Sequence, residues 1–197
     1  MRFGRVLSVL LITALAGRAM AQDAVGVNGS GVLYPTVMNA EIGNKKVQTK
    51  LTGAAMRKKA GVINIYTIGS YVQADFSGAT PEALAATDTV KQLHLVMQRD
   101  VDGKDMADAF RDAIRNNYPT EFDAELKKFM QLMQAQNISK GDVCWITNIP
   151  GYGLHVNLVG KRSEFIKSVK FSKAVWDIYL GPKNVGESVK KALTSRL

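Results

Sequence analysis

Arg57 and Tyr66 are the residues whose types and spacing best suit chemistry. Between them Lys58-Lys59-Ala60-Gly61 reads as a tight turn, with Gly61 free to take a positive φ. A turn centred between Ala60 and Val62 makes residues whose numbers sum to about 123 face one another on adjacent strands. Arg57 then lies opposite Tyr66 on one face. A guanidinium fork beside a phenol presents two coplanar N–H donors and one O–H, a set that suits a carboxylate. The spacing equally fits a surface arginine leaning over an aromatic ring. On periodicity alone that second arrangement is the commoner one.

Other chemistries find less support. The single cysteine, Cys144, excludes an intrachain disulfide and a CxxC zinc site. His94 and His155 lie far apart, each within a strand pattern, so both read as structural. No GxSxG elbow places a serine near either of them. Asp100, Asp102, Asp105 and Asp108 cluster at a helix start, where carboxylates complement the helix dipole. The stretch Gly26-Val-Asn-Gly-Ser-Gly31 has no strand before it, no helix after it and no following Lys-Ser/Thr, so it is not a phosphate loop. No cofactor is therefore expected, and haem, whose iron would need a His, Tyr or Met ligand, is kept as an alternative.

These residues need a fold around them, and the composition supplies one. Of the 197 residues, 46% are hydrophobic and 22% charged, ordinary globular values that argue against disorder or a coiled-coil rod. Residues 1–21 read as a signal peptide: Arg2 and Arg5, an uncharged apolar run over 6–17, then Ala19-Met20-Ala21 as a cleavage site. The run is shorter than the roughly 20 residues a bilayer span needs. The mature chain should therefore be periplasmic or secreted, without a transmembrane segment. The formal charge of +9 falls by the three arginines of the leader. A mildly basic exported domain suits an anionic small molecule or an anionic lipid surface. Its basic residues are too dispersed for nucleic acid. Nothing indicates an oligomeric state.

Residues 22–31 read as a flexible lead-in and 32–197 as one domain. Alternation over 32–72 and 90–99 predicts strands, the latter with Leu93, Leu95 and Met97 on one face. Pro81 to Ala86 starts a short helix. Asp102 caps a helix with the stripe Met106, Phe110, Ile114 and Tyr118. Pro119 breaks it, and Thr120 caps the next, with the stripe Phe122, Leu126, Phe129, Met130 and Met133. A hairpin turning at Pro150-Gly151 is expected next, then a helix stopped by Gly181-Pro182. A last helix follows, for which Asn184 and Glu187 offer a cap. Strands, helices, a hairpin and more helices indicate an α+β fold with an antiparallel sheet.

The order of these pieces resembles the chalcone isomerase-like family. Leu51-Thr52-Gly53-Ala54-Ala55-Met56-Arg57 is similar to its L-x-G-x-G-x-R strand, and Val62 to Tyr71 to its K-V-Y-x-x-G-L-Y strand. Arg99-Asp100-Val101, Lys140-Gly141-Asp142 and the stretch from Val175 to Gly181 follow in the family's order. The resemblance implies an open-faced β-sandwich, a long antiparallel sheet covered on one side by helices, with a ligand cleft between. Carried over residue by residue, the catalytic arginine falls on Arg57 and the strand threonine on Tyr66. The helix tyrosine falls on Met106, the helix asparagine on Ala113 and the last hydroxyl residue on Ile178. Only the arginine is kept, and Met106, Ala113 and Ile178 offer no strong donor or acceptor. Catalysis by positioned donors is thus not expected, although an isomerase with a different substrate remains an alternative.

In the non-catalytic branch of the family, an arginine with a nearby tyrosine holds a fatty-acid carboxylate. The resemblance therefore implies a binding protein for a fatty acid or another amphipathic carboxylate. Arg57 and Tyr66 would anchor the head, with Tyr71 as an alternative donor. Met106, Phe110, Phe122, Phe129 and Met130 would line the acyl tunnel. Should residues 1–21 direct export, N-terminal sequencing of the secreted or periplasmic protein will start at Gln22; a mature chain that retains Met1 contradicts the leader.

Overall fold

The computed structural model describes residues 23–134 and 137–197. The signal peptide expected over 1–21 lies outside the described residues. Two long strands make the frame: β4 (Lys45–Lys59) and β5 (Ile63–Gln73). Ala60 and Gly61, both at positive φ, turn the chain between them. Such left-handed pairs match the twist of the strands they join.

Five further strands extend this hairpin into an antiparallel sheet of seven: β3 (Val37–Ile42) beside β4, then, beyond β5, β6 (Lys91–Met97), β9 (Val143–Ile149), β10 (Gly153–Leu158) and β11 (Arg162–Ile166). Two short pairs stand apart. β1 (Ala24–Gly26) pairs with β2 (Leu33–Pro35), and β7 (Val101–Asp102) with β8 (Asn137–Ile138). Residues 24–26, expected to be part of a flexible lead-in, are therefore one arm of a hairpin. The β1–β2 pair covers an apolar patch of Tyr34, Leu51 and Tyr71.

Helices cover the other face: α1 (Pro81–Ala86), α2 (Gly103–Asn117), α3 (Asp123–Gln134), α4 (Val169–Leu180) and α5 (Glu187–Leu193). Thr80, Asp102 and Ser168 cap α1, α2 and α4 with their side chains. Thr120 does not cap α3. That helix starts three residues later, after Phe122 takes a positive φ of 68°. Asn184 binds the Gly186 N–H and the Glu187 carboxylate instead of serving as the N-cap of α5, a place taken by Gly186. The main core lies between these helices and the sheet, with Leu93, Leu95 and Met97 of β6 facing it as the alternation predicts.

The β4–β5 ladder is irregular twice. Between Leu51 and Gly53 one extra residue of β4 faces β5, and between Arg57 and Lys58 one extra residue of β5 faces β4. The first bulge frees groups that the chain end then satisfies. The Thr52 carbonyl accepts from the Arg196 N–H at 2.9 Å, and the Thr52 hydroxyl donates to the Leu193 carbonyl at 2.8 Å. Gly53, at φ 155°, lies so close to the end of α5 that a Cβ there would meet the Ala192 carbonyl oxygen at 2.0 Å. Between the bulges the register is continuous, from Gly53↔Ser70 to Arg57↔Tyr66.

On the helix side, Lys91 is 1% exposed and ties α1 to the sheet. Its ammonium donates to the carbonyls of Leu84 and Ala85 and lies 4.8 Å from the centre of the Trp176 ring. Burial pushes its pKa from 10.5 down to about 7, against the pull of Asp88 and Asp177. The unfolded lysine keeps its proton to about 10.5 while the folded one releases it near 7, so the unfolded state binds more protons in that window. Stability consequently rises with pH there, by at most about 1.4 kcal/mol per pH unit from this group. Urea denaturation between pH 7 and pH 10 should show that rise in the wild type and a flatter profile in Lys91→Met; parallel profiles would refute it.

Candidate functional site

A cavity of about 530 Å³ opens between the sheet and α2. Its floor is apolar and buried: Met106 and Phe110 of α2 and Ile178 of α4, with the ring of Tyr66 from β5. Asp102, the N-cap of α2, and positions 105, 106, 109, 110 and 113 of the helix line it, the single stripe that a helix of 3.6 residues per turn presents to one neighbour. Ile63 and Ile65 close the sheet side. The mouth is charged, with Lys59, Arg99, Asp100, Asp102 and Asp105 exposed around it.

Arg57 and Tyr66 are directly paired across the ladder, both on the helix side, as expected, with the bulge that sets Ile65 aside bringing Tyr66 into place. Arg57 is half-buried on the cavity wall. Its Nη1 donates to the Lys58 carbonyl. Among the described residues no carboxylate lies within ion-pair distance of it. None of the three mouth aspartates pairs with it. Asp100 accepts from the Lys140 N–H at 2.8 Å and Asp102 from the Lys104 N–H at 2.7 Å, both as backbone braces.

Tyr66 does not stand alone. Its hydroxyl lies 2.9 Å from that of Tyr179, and both side chains are buried. Desolvation raises both phenol pKa values; the hydrogen bond between them and the nearby Arg57 charge pull Tyr66 partly back. Both therefore stay protonated near neutral pH. With two protons and one shared contact, the pair keeps one O–H free to donate elsewhere. Tyr179 follows Ile178 in the stretch from Val175 to Gly181 and is a site residue that the sequence reading does not include. The helical spacing of Trp176 and Tyr179, three apart and both fully buried, was the available signal.

Of the residues expected at the site, Arg57, Tyr66, Met106, Phe110, Ala113 and Ile178 come together in this cavity. Tyr71 does not. It is five residues from Tyr66 on one strand, an odd step, so it points to the opposite face and packs with Tyr34 and Leu51. Phe122, Phe129 and Met130 belong to the core around α3 and do not line the cavity. Neither histidine reaches it. His94 stacks on Trp145 at 3.9 Å and His155 on Phe165 at 4.3 Å, both at open-side positions of the sheet. Among the described residues no cluster of His, Cys, Asp and Glu could hold a metal ion.

The family profile described as chalcone isomerase-like matches residues 28–194. The chain belongs to the chalcone isomerase-like family. A fatty-acid binding protein of Arabidopsis thaliana, solved by crystallography, is similar to this chalcone isomerase-like chain with a TM-score of 0.65. The two are 17% identical, and the similarity covers 87% of this chain and 96% of the plant one. At that distance the likeness establishes the shared fold: a large antiparallel sheet with helices on one side. No curated protein matches by sequence. No helix among the described residues is long and apolar enough to cross a membrane.

The buried phenol pair gives a direct test. Tyr179→Phe leaves the Tyr66 hydroxyl without its protein partner, which should cost about 1–2 kcal/mol in urea denaturation. An unchanged midpoint would show that the contact carries no stability.

Proposed function

We infer that this chalcone isomerase-like chain binds a fatty acid or a similar amphipathic carboxylate, without catalysis, in the cavity between sheet and α2. The observation that carries the reading is Arg57, a cation with no acidic partner, set on the wall of a cavity whose floor is Met106, Phe110 and Ile178. A half-buried cation against apolar walls is costly unless an anion meets it. A carboxylate would accept from the guanidinium and from the free O–H of the phenol pair, with Tyr179 donating to Tyr66 behind it. Hydrogen bonds in such a chain polarise one another. The tail would lie along Met106 and Phe110, each buried methylene contributing about 0.8 kcal/mol before ordering costs.

The cavity floor supports binding more than turnover. At the positions where the family's isomerases carry proton-handling side chains, this chain has Met106, Ala113 and Ile178. The fold neighbour named a fatty-acid binding protein supports the same ligand class. The basic and apolar start of the chain, up to Ala21, supports an exported location.

Arg57→Ala should weaken laurate binding at least tenfold in calorimetric titration, since charge-assisted hydrogen bonds contribute about 1.5–3 kcal/mol. Its circular dichroism spectrum should match the wild type. Unchanged affinity for laurate and palmitate would overturn the proposed anchor.

A further inference from the structure

We propose that the tip of the β4–β5 hairpin docks on an anionic lipid bilayer and turns the cavity mouth toward it. The tip combines two properties that rarely coincide on a soluble surface. Val62 is 76% exposed, more than any other large hydrophobic residue among those described, and Ile63 beside it is 41% exposed. Lys58 and Lys59, both exposed, immediately precede the turn. From Lys45 to Gln73 neither strand carries an acidic residue. An apolar apex ringed by lysines is the pattern that inserts shallowly between headgroups while its charges meet anionic lipid.

The tip is also placed for such a role. Lys59 and Ile63 line the cavity mouth, and Arg57 lies two residues inside it. Arg99 and Lys140 flank Ile63 in a shallow groove on the adjoining side. The acidic residues nearby, Asp100, Asp102 and Asp105, also line the cavity, and two of them brace backbone N–H groups of the α2 start and of Lys140. The opposite end of β4 turns through Gly43-Asn44, without an exposed large hydrophobic residue. The docking surface depends only on the tip. Its purpose, passing an acyl chain from bilayer to cavity, rests on the proposed function.

The experiment uses the full chain carrying an environment-sensitive fluorophore on Val62→Cys. The native thiol, Cys144, is buried and spared by the label. Vesicles of equal parts phosphatidylglycerol and phosphatidylcholine should brighten the probe at position 62, and vesicles of phosphatidylcholine alone should not. The same probe on Asn44→Cys, at the far turn, should stay dark with both. Adding Lys58→Gln should raise the half-saturating concentration of anionic vesicles about fivefold. A silent probe at position 62, an equal response to neutral vesicles, or an equal response at position 44 overturns the docking surface. Laurate titration separates the two readings. Lys58→Gln should bind laurate as the wild type does, whereas Arg57→Ala should lose laurate yet keep the vesicle response of the tip.

Discussion

The pairing of β4 with β5 between their two bulges is the constraint on which the site depends. In that stretch side chains of β4 and β5 meet opposite partners in strict alternation, so Arg57 and Tyr66 must share the helix side. With β5 held by β6, a one-residue slip of β4 would send Arg57 to the open face and bring Met56 opposite Tyr66. The bulge at Gly53 holds the register from one end, because the backbone of α5 fills the space where a side chain would be. The Ala60-Gly61 turn holds it from the other.

Given that register, the helices decide what Arg57 meets. α2 presents one stripe to the cavity, acidic at its first turn and apolar from Met106 onward. Asp102 caps the helix N-terminus, and none of the mouth carboxylates forms an ion pair with the arginine on the wall. α4 contributes Ile178 and, one position on, the phenol that fixes Tyr66. The cavity thus carries charge at its mouth and on the Arg57 wall, and mainly apolar side chains at its floor.

Much of this was legible before any coordinates. The Arg57–Tyr66 pair was expected from the turn, but the turn alone would set Arg57 opposite Ile65, and it is the bulge at Ile65 that delivers Tyr66. The cap at Asp102 and the stop at Gly181 follow from local chemistry. All five helices were anticipated, and the strands that were missed, β1, β7, β8 and β11, are short or polar. β11 reads Arg-Ser-Glu-Phe-Ile and has the alternation of neither face, because an edge strand is half solvated. β1 and β2 contribute three residues each, too few for a period, and gain their stability from covering Tyr71. Tyr71, whose residue type suggested a donor at the site, lies on the opposite face, as its odd distance from Tyr66 along β5 dictates. The start of α3 was misplaced because Phe122 adopts a left-handed conformation that sequence gives no reason to expect of a phenylalanine.

The bulge at Gly53 makes the strand exchange its faces. Upstream of it Leu51 serves the open face, and downstream Ala55 and Arg57 serve the closed one, so odd-numbered residues of a single strand feed two separate interiors. One residue inserted between this bulge and Arg57 would carry the guanidinium to the open face and empty the cavity wall of its cation.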